Sequence, residues 1–136
     1  MPRRRFACCL AMFIASTAIA FAGPAIGGEP FPFGSDLMLD VTPMHGSKRV
    51  PMLEIEDDGT ASIDLWCAGV HGQATIGDSS IAIVVGPPSQ VQCEPEQQSR
   101  DGDLLAALGQ VTSWRRAGDM IELIGPTTLH FRLMTN

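Results

Sequence analysis

Cys67 and Cys93 are the residues best equipped for chemistry in this chain, because a thiol can bond to another thiol, to a metal or to a substrate. Cys67-x-x-x-His71 has the spacing of half a zinc site, but Cys93 has no histidine close to it in sequence to complete the other half. In a chain sent to an oxidising space, two remaining cysteines join, so a Cys67–Cys93 disulfide is expected. Closing a loop of about 25 residues stabilises the folded state by about 3.5 kcal/mol through lost chain entropy.

The histidines are His45, His71 and His130. A hydrolytic triad requires one of them beside a nucleophile and a carboxylate. Ser79, Ser80 and Ser89 stand in turn-like stretches without a G-x-S-x-G context. His130 alternates with Leu129 and Phe131 and is expected on a solvent-facing side of a strand, whereas His71 is expected in a glycine-rich loop from Ala68 to Gly72. Asp57-Asp58 reads as a hairpin turn and Asp101-Gly102-Asp103 as a helix start, since neither has the alternating oxygen ligands of a calcium loop. The expectation is therefore a protein that is not an enzyme, with no catalytic residues, no metal ligands and no cofactor. Trp66 and His71 mark a candidate partner-binding loop.

The other cysteines, Cys8 and Cys9, lie in a different kind of segment. Arg3, Arg4 and Arg5 form a basic start, and Phe6 to Phe21 is almost wholly apolar. Ala20 and Ala22 supply the small residues of an A-x-A cleavage site, with Ala18 and Ala20 as an alternative, so residues 1–22 read as a signal peptide. The apolar run is about 16 residues, short of the roughly 20 that span a bilayer. Cys8 and Cys9 stand at the start of the apolar stretch, whereas a lipid-modified cysteine must follow it, so lipid attachment is not expected there. The expected destination is the bacterial periplasm or beyond, with no stable membrane anchor after cleavage near Ala22.

The chain has 9 Lys+Arg and 15 Asp+Glu. Without the three leader arginines the balance is 6 against 15, a net charge near −9. Such a surface repels nucleic acid and anionic headgroups, and suits either solubility or a basic partner.

These residues must be positioned by strands. Residues 23–35 are rich in Gly and Pro and read as a flexible lead-in that packs no core. From Asp36 onward, period-2 alternation dominates: Leu37, Leu39 and Val41, then Leu53 and Ile55, then Ile63 and Leu65, then Ile81, Ile83 and Val85. Asp57-Asp58-Gly59, Gly77-Asp78 and Ala117-Gly118-Asp119 supply turns. Pro95 opens the one predicted helix, with Leu104, Leu105 and Leu108 as its apolar stripe and Gly109 as its stop. Strands return from Val111 to Ala117, from Met120 to Ile124 and from Leu129 to Leu133. Connections this short require antiparallel pairing.

The order Trp66-Cys67-Ala68-Gly69-Val70-His71-Gly72, a strand hairpin, Cys93 opening a helix, Leu104-Leu105 with Leu108, Val111 with Trp114, the Gly118-Asp119 turn, Ile121 to Ile124, and Leu129-His130-Phe131 resembles the META domain, the family that includes the HslJ-type heat-shock proteins of bacterial envelopes. The likeness runs from about Ile63 to Leu133. Where family members often carry an asparagine after the first cysteine's turn, this chain has Ala68 and Gly69, and Gln90-Val91-Gln92 replaces the usual threonine-x-methionine. The resemblance implies a mainly β (α+β) fold, a single antiparallel, partly closed barrel-like sheet with one packed helix, over residues 36–136.

Trp66, Trp114, Phe131 and the leucines either fill this core or line a small apolar pocket. Arg115, Arg116 and Arg132 either gather into a basic spot or lie singly on strand faces. The function expected is that of an exported, non-enzymatic envelope protein, stress-associated by resemblance, that binds a small apolar ligand or a protein partner. The competing expectation is a periplasmic inhibitor of a basic hydrolase such as a lysozyme, suggested by the acidic charge and the loop carrying His71.

Overall fold

A computed structural model of the chain describes residues 28–135. The leader and its cleavage site lie outside the described residues. Eight strands and one helix follow in chain order: β1 (Leu37–Leu39), β2 (Met52–Ile55), β3 (Thr60–Asp64), β4 (Gly69–Ile76), β5 (Ile81–Val85), α1 (Pro95–Leu108), β6 (Ser113–Ala117), β7 (Met120–Ile124) and β8 (Leu129–Leu133). The sheet order is β5-β4-β3-β2-β1-β8-β7-β6, and every pairing is antiparallel.

The alternation decides which side chains turn inward. Leu37 and Leu39, Leu53 and Ile55, Ala61 and Ile63, Ile81 and Ile83, Ile121 and Leu123, and Leu129 and Phe131 are all buried. Their neighbours in sequence point the other way. Curling one sheet face inward brings its edges β5 and β6 together. A bridge between Ser80 and Ser113 joins them, with the Ile81 N–H donating to Thr112 O and the Trp114 N–H to Ser79 O. The overlap is short, so the barrel is nearly rather than fully closed.

Turn chemistry sets the register. At the β2–β3 hairpin Gly59 takes φ +87°, a conformation that side-chain-bearing residues rarely adopt, and the Asp58 carboxylate accepts the Thr60 N–H at 2.8 Å. That hydrogen bond holds the Asp58 carboxyl below its ordinary range.

Two expectations need correction. The glycine- and proline-rich lead-in does pack: Phe31 is buried and meets Trp114 edge to face, with ring centroids 5.1 Å apart. The Glu29 carboxylate also accepts the Gly118 N–H at 2.7 Å, and Arg116 donates to Pro30 O at 3.0 Å. An aromatic ring on an irregular segment has found an apolar surface at the barrel end, which backbone composition does not reveal. The second correction concerns Asp101-Gly102-Asp103, which lies well inside α1 rather than at its start. Asp101, Leu104 and Leu108 form the helix face turned to the barrel.

Candidate functional site

Between β3 and β4 the chain makes a tight turn, Leu65-Trp66-Cys67-Ala68, closed by the Leu65 N–H donating to Ala68 O at 2.9 Å. A turn leaves backbone N–H groups without ladder partners, and buried ones must find acceptors elsewhere. Asp101 supplies them from α1. Its Oδ1 accepts the Trp66 N–H at 2.9 Å, and its Oδ2 accepts the N–H groups of Cys67 at 3.3 Å and Ala68 at 2.9 Å. The carboxylate is only 5% exposed. Three convergent donors are what makes a buried charge tolerable there.

The same turn is fastened twice more. Cys67 and Cys93 form the expected disulfide, with Cα atoms 5.8 Å apart, which ties the turn to the chain two residues ahead of α1. Arg49 donates to Cys67 O at 2.9 Å and pairs with Asp64 at 3.6 Å. The sulfur of Cys67 is thus committed to a covalent bond and is not a thiolate ligand for zinc.

Trp66 is buried where this turn meets α1 and forms part of the lining of a groove of about 400 Å³. Leu39, Val41, Leu104, Ala107 and Leu129 make the apolar walls. At the rim stand Arg100, Asp103, Asp40 and His130, together with the hydroxyls of Thr127 and Thr128. The Trp66 indole N–H is buried and has no hydrogen-bond partner among the described residues. An unmet buried donor costs roughly 1–3 kcal/mol. The other indole is satisfied, with Trp114 Nε1 donating to Gly77 O at 2.9 Å. A second hollow, about 700 Å³, has Asp101 in its lining, together with Ser89 and Gln92 from the β5–α1 loop and Gln98 and Leu105 from α1.

Trp66 and His71 do not converge. His71 stands within β4 rather than in a loop, on the outer face of the sheet. Its Nδ1 lies 3.4 Å from the Ser62 hydroxyl, and Ser62 in turn is opposite Glu54 on β2. The serine thus sits between carboxylate and imidazole, whereas hydrolytic relays place the imidazole in the middle. Desolvation, and then the charges of Glu56 and Asp36, raise the Glu54 carboxyl above its ordinary range.

The three arginines do not gather into a basic spot. Arg115 pairs with Glu122, Arg116 is held by backbone carbonyls, and Arg132 lies 3.8 Å from both Asp40 and Asp119. Among the described residues no group of three or more His, Cys, Asp or Glu is placed to hold a metal, and no helix is long and apolar enough to cross a membrane.

The META domain pattern matches residues 36–134. The chain belongs to the META domain family. The match begins at Asp36, so β1 and β2 are part of the META domain as well as the later elements from Ile63 onward. No curated protein matches the chain. Among solved structures, an NMR structure of a protein from Burkholderia xenovorans shares 18% identity with a TM-score of 0.60, covering 93% of this chain and 100% of that one. At that identity the likeness speaks for the META fold alone.

Asp101 is the important residue that sequence reading missed. The signal was present: a carboxylate three residues before Leu104, on the stripe that faces the core, is out of place unless something buried needs an acceptor.

Proposed function

We propose that this META-domain chain is an exported, non-catalytic binding module of the bacterial cell envelope, with a stress-associated role, that holds a small apolar ligand in the groove between α1 and β8. One observation carries the reading: a partly open groove with Trp66 in its lining and apolar walls, of a volume within the range of small-molecule sites. The Ser62–His71 pair supports the non-catalytic half, because it stands on a strand face with its carboxylate neighbour on the wrong side.

The test is saturable uptake of a neutral fluorescent naphthylamine probe by the purified protein. Ala107→Arg fills the groove from a half-buried helix position and should weaken uptake about tenfold or more, with circular dichroism unchanged. Uptake that is absent, or equal in the two proteins, overturns the groove as the site.

The inhibitor reading draws support from the acidic strip Asp36, Glu54 and Glu56, where desolvation and then the charges of Glu56 and Asp36 raise the Glu54 carboxyl. Salt-sensitive retention on immobilised lysozyme, lost in a Glu54→Gln, Glu56→Gln variant, would favour it.

A further inference from the structure

We infer that the groove selects a neutral molecule presenting a carbonyl oxygen beside its apolar body, with the Trp66 indole N–H as the group that recognises that oxygen. This rests on the reading of the groove as the binding site. An indole nitrogen can only donate, so what it lacks is an acceptor. Trp114 shows that the fold satisfies an indole where a backbone oxygen is within reach. The apolar part of the groove lining, Leu39, Leu104, Ala107 and Leu129, offers no side-chain acceptor, and none of the polar lining residues bonds the Trp66 indole among the described residues.

The nitrogen itself has almost no solvent-accessible surface, so bulk water does not reach it directly. An acceptor that parts the lining therefore meets a donor in a dry setting, where a hydrogen bond is electrostatically stronger than in water.

The rim decides between a neutral carbonyl and a carboxylate. Arg100 faces Glu96 at 3.9 Å, His130 lies 3.4 Å from Glu122, and Asp40 lies 3.8 Å from Arg132. Asp103 has no ion-pair partner among the described residues, so the rim's uncompensated charge is negative. A carboxylate entering the groove would lose its water and meet that charge, whereas a ketone, ester or amide loses little and meets the indole.

Three near-isosteric probes separate the possibilities: benzylacetone (a neutral ketone), butylbenzene (its hydrocarbon counterpart) and hydrocinnamate (its carboxylate counterpart). Each is titrated into ¹⁵N-labelled protein while the two indole N–H resonances are followed, assigned with Trp66→Phe. Benzylacetone should bind about tenfold tighter than either analogue, the worth of one hydrogen bond. It should move the Trp66 indole resonance and leave that of Trp114 in place. In Trp66→Phe its affinity should fall to that of butylbenzene while butylbenzene binding persists. Equal binding of all three probes at the groove, or a preference for hydrocinnamate, overturns the carbonyl inference and leaves the groove as a site. If no probe shifts the resonances of Ala107 and Leu129, the groove reading fails and the inference with it.

Discussion

Asp101 reaches 35 residues back along the chain to hold Trp66, its Oδ1 accepting the Trp66 backbone N–H at 2.9 Å while Oδ2 holds the next two residues. One carboxylate on the helix thus fixes the turn that presents the groove's indole. Removing it strands two well-buried N–H groups and a third that is partly buried. We expect Asp101→Ala to destabilise the domain by about 3 kcal/mol, and Asp101→Asn by less, since one acceptor oxygen survives. Urea unfolding of the two variants beside the wild type measures both; an Asp101→Ala loss under 1 kcal/mol would show that the turn holds without it.

The disulfide acts on the same turn by a different route. Cys67→Ser with Cys93→Ser should cost about 3.5 kcal/mol, mainly by freeing the unfolded chain. Because Asp101 still grips residues 66–68, the folded double variant should keep its groove and its probe affinity. A loss of probe binding at temperatures where the variant remains folded would contradict this independence.

Phe31 anchors the lead-in to the barrel end through Trp114. Phe31→Ala should lower stability by about 3 kcal/mol and shift Trp114 fluorescence to the red as water reaches the ring. Phe33, on the same segment and 42% exposed, should tolerate alanine with little change. Thermal melting and emission spectra of both variants provide the comparison.

Acid should act through Glu122. The Arg115 guanidinium hydrogen-bonded to it, with a smaller contribution from the charge of His130, holds its carboxyl below the ordinary value near 4.5. A carboxyl held low in the folded state adds stability above its unfolded value and loses it as pH falls through the folded one. Denaturation midpoints should therefore drop as pH goes below about 4.5, and Glu122→Gln should flatten that part of the profile.

Glu54 has the opposite sign. Desolvation and the nearby Glu56 and Asp36 raise its carboxyl, so its contribution is fully present below the unfolded value and fades as pH rises through the folded one. Glu54→Gln should therefore be the more stable protein at neutral pH, with the gap closing in acid. Urea midpoints at the two pH values decide the matter.

Most strands are legible because burial on one face imposes period-2 alternation, and Leu53-Glu54-Ile55 or Leu129-His130-Phe131 admit little else. The disulfide is legible from counting cysteines. What escapes sequence reading depends on distant partners. Gly69 and Gly72 suggest a loop around His71, yet they lie in β4, where the backbone of β5 passes so close to Gly72 that no side chain fits. Phe31 looks idle until Trp114 is beside it, and Asp101 looks like a surface acid until the turn folds back onto it. The Trp66 groove needs α1 and β8 together, which no local pattern reports.

The position of β1 has a consequence for how the molecule is made. It lies between β2 and β8, with Leu37 opposite Leu53 on one side and Leu133 on the other. Strands from Leu37 to Val85 can zip in chain order, but β1 keeps one bare edge until Leu129–Leu133 joins it. A stalled or clipped polypeptide ending before Leu129 carries an open row of backbone donors and acceptors, ready to recruit other copies into aggregates. Covering that edge thus falls to a five-residue strand that is the last of the eight along the chain.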